Sequence, residues 1–135
     1  MNSATLVWTY LVIGLSLLVY TWTLLAAGHA RRRAGIKSPA TTGDLMMERA
    51  LRVQQNTLEQ LVVFVPAILL FAILVNPRAA AGLGFLWILG RILYIPLYMR
   101  DPDKRALGFG LAFVPQIILT LGAVAGAVAA ILRLQ

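Results

Sequence analysis

From Met1 to Gly28 this chain carries no charged residue, and that run decides what it can fold into. About 20 consecutive apolar residues cross the hydrocarbon of a bilayer as a helix, which satisfies its own backbone N–H and C=O groups where water is absent. Three further apolar stretches succeed it. Of the 135 residues 60% are hydrophobic and 13% are charged, so the bilayer is the expected solvent. A multi-domain enzyme with a water-soluble catalytic module is excluded, and the chain is read as a single membrane domain over residues 1–135. Ala26-Ala27-Gly28 offers small residues suited to signal cleavage. However, Met1-Asn2-Ser3 has no basic residue and the apolar run exceeds the roughly 7–15 residues of a signal core, so the first span is read as retained.

The expected fold is all-α, an integral membrane four-helix bundle with spans at about 4–28, 44–75, 79–99 and 102–132. Residues 29–43 read as a polar loop whose Ser38-Pro39-Ala40-Thr41-Thr42-Gly43 segment favours turns. Asp44 is placed to cap the second helix, and Asn76-Pro77 to stop it. Asp101-Pro102-Asp103 reads as a cap, a proline at the first helical position and an acidic first turn for the fourth helix. Pro66, Pro96 and Pro115 fall inside helices, where neighbouring groups can satisfy the freed carbonyls. Gly122 and Gly126 form a small-xxx-small face suited to close helix packing.

The net charge of +7 divides by position. Arg31, Arg32, Arg33 and Lys37 lie in the first loop and Arg100, Lys104 and Arg105 in the third, against only Arg78 and Arg133 on the opposite side. Loops 29–43 and 100–105 are therefore expected in the cytoplasm, with both termini outside. A nucleic-acid role is excluded because no continuous exposed basic stripe results. Cysteine is absent and histidine occurs once, at His29, so no thiolate or multi-histidine metal site is expected, and any thiol chemistry must use a borrowed thiol.

Three basic residues remain, Arg49, Arg52 and Arg91, all within helices. Arg49, Arg52, Asn56 and Glu59 are spaced by steps of three, four and three, and share one helix face; Arg91, Tyr94 and Tyr98 make a second stripe. An isolated charge at that depth costs at least about 2.5 to 3.5 kcal/mol, so Glu59 and Arg91 are expected to face the bundle interior or a wet cleft, and each other. A buried ion pair that only fixes packing is the plain reading. Arg52, Asn56, Tyr94 and Tyr98 exceed what one pair needs, which favours a cleft for a charged small molecule. Arg105, at the start of the fourth helix, reads either as a membrane anchor offset by Asp101 and Asp103 or as an anion site that stabilises a bound thiolate.

The segment Glu48-Arg49-Ala50-Leu51-Arg52-Val53-Gln54-Gln55-Asn56-Thr57-Leu58-Glu59 resembles the E-R-x-x-R-x-x-x-N-x-x-E signature of the MAPEG family, the membrane-associated proteins of eicosanoid and glutathione metabolism. Ala30-Arg31-Arg32, the Ser38-Pro39 and Thr41-Thr42-Gly43 turn, and Arg91-x-x-Tyr94-x-x-x-Tyr98 followed by Arg105 resemble the family's leukotriene C synthase branch in order and spacing. The resemblance implies a homotrimer with glutathione in clefts between subunits near the cytoplasmic face. Arg52, Asn56, Glu59, Arg91, Tyr94 and Tyr98 would bind glutathione, Arg105 would activate its thiol, and Arg32 would assist the substrate. Gln55, Gln60 and Ala106 depart from residues of the eicosanoid-synthesising branches, which separates this chain from their substrates. The implied activity is that of a glutathione transferase, with peroxidase activity as a variant, acting on a lipophilic molecule from the membrane. A non-catalytic lipid-binding scaffold of the same family and a small four-span exporter are the alternatives. The Ala/Leu/Gly-rich composition suits a bacterial member, and with it an inner membrane.

Overall fold

In a computed structural model the chain is described over residues 3–134, with side chains from Thr5 onward. Met1 and Asn2, on which the expectation of a retained N-terminus partly rests, lie outside the described residues. Four helices are long and apolar enough to cross a membrane: α1 (Ser3–Ala34), α2 (Leu45–Leu74), α3 (Pro77–Arg100) and α4 (Ala106–Leu132), the last preceded by a 3-10 turn at Pro102–Arg105. Large side chains such as Trp8, Leu18, Leu25, Val62 and Leu121 lie on the outside of the bundle, where a bilayer and not water is the compatible surrounding.

The helix starts are set by their caps. The Asp44 carboxylate accepts the Met47 N–H at 2.8 Å while Glu48 accepts the Gly43 N–H at 2.9 Å, a reciprocal arrangement that fixes the entry to α2. Asn76 ends one helix and opens the next. Its side chain accepts the N–H groups of Arg78 and Ala79, and Pro77 occupies the first helical position, where no N–H is needed, so α3 begins two residues before the expected 79.

One expectation is corrected. Residues 29–34 are helical and not loop: the alanines and arginines after Gly28 are good helix formers, and cations suit a helix C-terminus. The helix stops only at Gly35, whose φ of 68° turns the chain while Gly35 and Ile36 donate to the carbonyls of Arg32 and Arg31. The expected fourth span is borne out: it runs Pro102–Leu132, Asp101 caps it by accepting from the Asp103 N–H, and its first turn, Pro102–Arg105, has 3-10 form before α4 begins at Ala106.

The core draws on all four helices, Val12 and Val19 of α1 among them, and its centre lies where α2, α3 and α4 meet. The rings of Phe64 and Trp87 stack at 4.2 Å, and the Trp87 indole N–H donates to Gln116 Oε1 at 3.2 Å, so one residue from each helix locks the centre. Gly122 and Gly126 pack as expected: a Cβ at the first would lie 2.3 Å from the Phe71 ring and at the second 2.9 Å from Val75. A closer approach went unread in the sequence. A Cβ on Gly90 would lie 2.4 Å from the Ala112 nitrogen, and one on Gly108 2.5 Å from the Tyr94 nitrogen, so α3 and α4 touch backbone to backbone. That contact seats the start of α4 against Tyr94.

Candidate functional site

Arg91 is completely buried. Its guanidinium donates through Nη1 to Asn56 Oδ1 at 2.9 Å and through Nη2 to the Thr57 hydroxyl, and lies 4.2 Å from the centre of the Tyr94 ring. Two neutral acceptors and an aromatic face thus hold the cation in an apolar interior. Thr57 is itself fixed, donating to the Val53 carbonyl at 2.7 Å. From Arg91 the contacts spread to α4: the Tyr94 ring lies 5.5 Å from that of Tyr98 and 6.5 Å from that of Phe109.

The expected Glu59–Arg91 contact does not form. Glu59 pairs with Arg52 at 3.5 Å, both side chains being about half exposed. Helix geometry gives the reason: at about 100° per residue, Glu59 lies about 200° around α2 from Thr57, whereas Arg52, seven residues back, returns to nearly its own angle. Arg49, at the start of the same stripe, has a different task. Its Nη1 donates to the carbonyls of Met99 and Arg100, both at 3.0 Å, closing the C-terminal end of α3.

These groups border a cleft of about 580 Å³ lined by Arg52, Asn56, Tyr94, Asp103, Arg105, Ala106 and Phe109. The volume suits a small ligand. Arg105 enters it at the end of the 3-10 turn; of the two acids read as offsetting its charge, Asp103 lines the same cleft and Asp101 binds Lys104 at 3.9 Å and caps the turn. No hydrogen bond or ion pair engages the Arg105 side chain among the described residues. An uncommitted guanidinium at the mouth of a cleft is a ready partner for an anion.

Of the residues singled out from the sequence, Arg52, Asn56, Tyr94 and Arg105 line the cleft directly. Glu59 is attached through Arg52, Arg91 through Asn56, and Tyr98 through the Tyr94 ring. Arg32 is exposed on α1 and is not among the lining side chains. Thr57 and Phe109 were not anticipated, and Asp103 was read only as a first-turn acid offsetting Arg105. Phe109 had a legible signal, four residues after Arg105 and so on its face of the helix; Thr57 had none, because a threonine inside an apolar helix usually bonds only its own backbone.

A sequence profile of the MAPEG family matches residues 7–125. An uncharacterized protein of Synechocystis sp. is 45% identical over 123 residues, covering 91% of this chain and 90% of that one. Microsomal glutathione S-transferase 2 of Mus musculus is 38% identical over 99 residues, 73% of this chain and 67% of the mouse protein. Leukotriene C4 synthase of Bos taurus is 30% identical over 91 residues, 67% of this chain and 61% of the bovine protein.

Proposed function

This chain belongs to the MAPEG family, and from that premise we propose that it is a glutathione-dependent membrane transferase whose cleft activates the glutathione thiol for attack on a lipophilic electrophile. The observation that carries the reading is the uncommitted Arg105 guanidinium facing Arg52, Asn56 and Tyr94 across one cleft. Glutathione has two carboxylates, an ammonium and a thiol. The cleft matches it in kind: Arg52 suits a carboxylate, Glu59 and Asp103 suit the ammonium, and Asn56 and the Tyr94 hydroxyl suit the amides.

In this reading Arg105 does the chemistry. A fixed cation beside the thiol favours its ionised form, and exclusion of water in the cleft strengthens the contact. The thiol proton leaves to solvent, the sulfur forms a bond to the electrophilic carbon, and the leaving group departs with its electron pair. With a hydroperoxide the same thiolate would attack the terminal oxygen and break the O–O bond, the alkoxide leaving with the electron pair and taking a proton from solvent, and a second glutathione would convert the resulting sulfenic acid to disulfide and water. Arg91 acts at one remove, holding Asn56 and the Tyr94 ring where the peptide needs them. The chain has no cysteine of its own, which suits an enzyme whose sulfur arrives with its substrate.

We assign a homotrimer on the same premise. Arg52 and Glu59 are half exposed along an apolar span, and a second copy packed over them would remove them from lipid and complete the cleft. Arg32, exposed on α1 and outside its own subunit's cleft, would then reach the cleft of a neighbour. We place residues 29–43 and 100–105 on the cytoplasmic side of a bacterial inner membrane, a reading supported by their excess of basic residues. The test is the ultraviolet absorbance of the glutathione thiolate on the purified protein. Arg105→Leu is expected to abolish that signal while leaving glutathione binding within about ten-fold, since the peptide's other contacts remain. An unchanged thiolate signal in the variant would remove Arg105 from the mechanism.

A further inference from the structure

A second cavity, of about 610 Å³, lies where the last turns of α1 and α3 meet the start of α2, and it shares no lining residue with the cleft. Its walls are Ala26, His29, Ala30, Arg33 and Ala34 of α1, Asp44 and Met46 at the start of α2, and Met99 near the end of α3. It exists because α1 continues past Gly28. Four residues apart on a helix, His29 and Arg33 stack on one face and turn their polar ends the same way.

The lining is graded along the membrane normal. Ala26 belongs to the charge-free stretch, and Arg33 stands about 10 Å further along the helix, at the level of the polar loop. Ala30 lies between them on the same helix, and Ala34, Met46 and Met99 complete the apolar wall. Three polar groups share the rim, of opposite sign: Arg33 and His29 can donate, while Asp44 can accept. Asp44 uses Oδ1 for its helix cap, which leaves Oδ2. Arg33 and Asp44 line one cavity yet form no ion pair within 4.0 Å, and neither Arg33 nor His29 has a hydrogen-bond partner among the described residues.

We propose that this cavity is a binding site for a phospholipid whose headgroup carries both a phosphate and a primary ammonium. The phosphate lies on Arg33 and His29, the ammonium donates to the free oxygen of Asp44, and the start of the acyl region lies along Met46, Met99 and the alanines. A simple anion leaves Asp44 opposed, and a quaternary ammonium has no N–H to give it. The apolar lower wall, and its place at the edge of the span, select a lipid over a soluble zwitterion. The site is independent of glutathione chemistry.

The experiment is native mass spectrometry of the full-length protein in detergent, titrated separately with phosphatidylethanolamine, phosphatidylcholine, phosphatidylglycerol and soluble O-phosphoethanolamine. Phosphatidylethanolamine is expected to bind about ten-fold more tightly than the other two lipids, the worth of one hydrogen bond between charged groups. Asp44→Asn preserves the helix cap, since asparagine caps as well as aspartate, and is expected to reduce phosphatidylethanolamine binding to the phosphatidylcholine level while leaving phosphatidylcholine unchanged. Arg33→Gln is expected to weaken both, and Lys37→Gln neither. Equal binding of all three lipids, a phosphatidylglycerol preference, an unchanged preference in Asp44→Asn, or soluble phosphoethanolamine competing at the same concentration as the lipid would each overturn the assignment.

Discussion

Gly90→Ala adds one methyl group where α3 and α4 meet. The new Cβ would lie 2.4 Å from the Ala112 nitrogen and 2.8 Å from its Cα, where ordinary contact begins at 3.4 Å. Both atoms belong to the backbone, so no side chain can swing aside, and the helices must part by about 1 Å. Overpacking of this kind costs about 1–3 kcal/mol. It opposes a gain of up to about 1 kcal/mol from replacing glycine by alanine within a helix. Gly110→Ala supplies the reference, since it makes the same chemical change on the neighbouring turn of α4 with nothing within 4 Å of the new atom. The apparent melting temperature in detergent is expected to be several degrees lower for Gly90→Ala than for Gly110→Ala. The displaced segment carries Arg105 and Phe109 over Tyr94, and a misplacement of about 1 Å at a reacting centre can cost about 100-fold, so glutathione turnover is expected to fall far more than glutathione affinity. Equal melting temperatures and equal turnover in the two alanine variants would refute both the crossing geometry and its role in placing Arg105.

Other perturbations reach other parts of the bundle. Arg91→Lys keeps the charge but cannot donate to Asn56 and Thr57 together while stacking on Tyr94; a loss of about 2 kcal/mol is expected from thermal melting, and an unchanged midpoint would deny Arg91 its anchoring role. A double-mutant cycle on Arg52→Gln and Glu59→Gln distinguishes an open surface from a covered one: an exposed pair couples by about 0–1 kcal/mol, and a larger coupling is expected if a second copy packs over it. Because the chain has no cysteine, single replacements report topology directly. Thr41→Cys is expected to react with an impermeant maleimide only in inverted vesicles, and Ala79→Cys only in right-side-out ones; the reverse pattern would invert the orientation.

The sequence disclosed what depends on local chemistry. Asp44 announced its helix because capping needs only a short acceptor at the right offset, Asn76-Pro77 announced where α2 stops but not that Asn76 caps α3, and Gly122 and Gly126 announced a packed face through their own spacing. The last turns of α1 were missed because a cluster of arginines reads as loop by charge, although its helix propensity is high. Arg91 was correctly placed in the interior, but its partners were chosen by sign of charge. The fold instead satisfies it with neutral oxygens and a ring, since Glu59 faces away from the bundle centre. Gly90 and Gly108 lie on different helices, and nothing local announces that they meet. The same holds for the cavity at the end of α1, which needs three helix ends brought together.

The length of α1 has a mechanical consequence. At about 1.5 Å per residue its 32 residues span about 48 Å, against about 30 Å for the hydrocarbon, so its arginine-bearing end is a stiff post standing clear of the oily layer. Side chains on a post keep a fixed bearing. Arg31 turns back to the Ala40 carbonyl, Arg33 overlooks the cavity, and Arg32, between them, takes a third direction about 100° from each. Adding or removing one residue between Gly28 and Arg31 would rotate all three by that angle, whereas the same change between Lys37 and Thr42 would leave their bearings alone and displace only the Ala40 carbonyl that Arg31 meets.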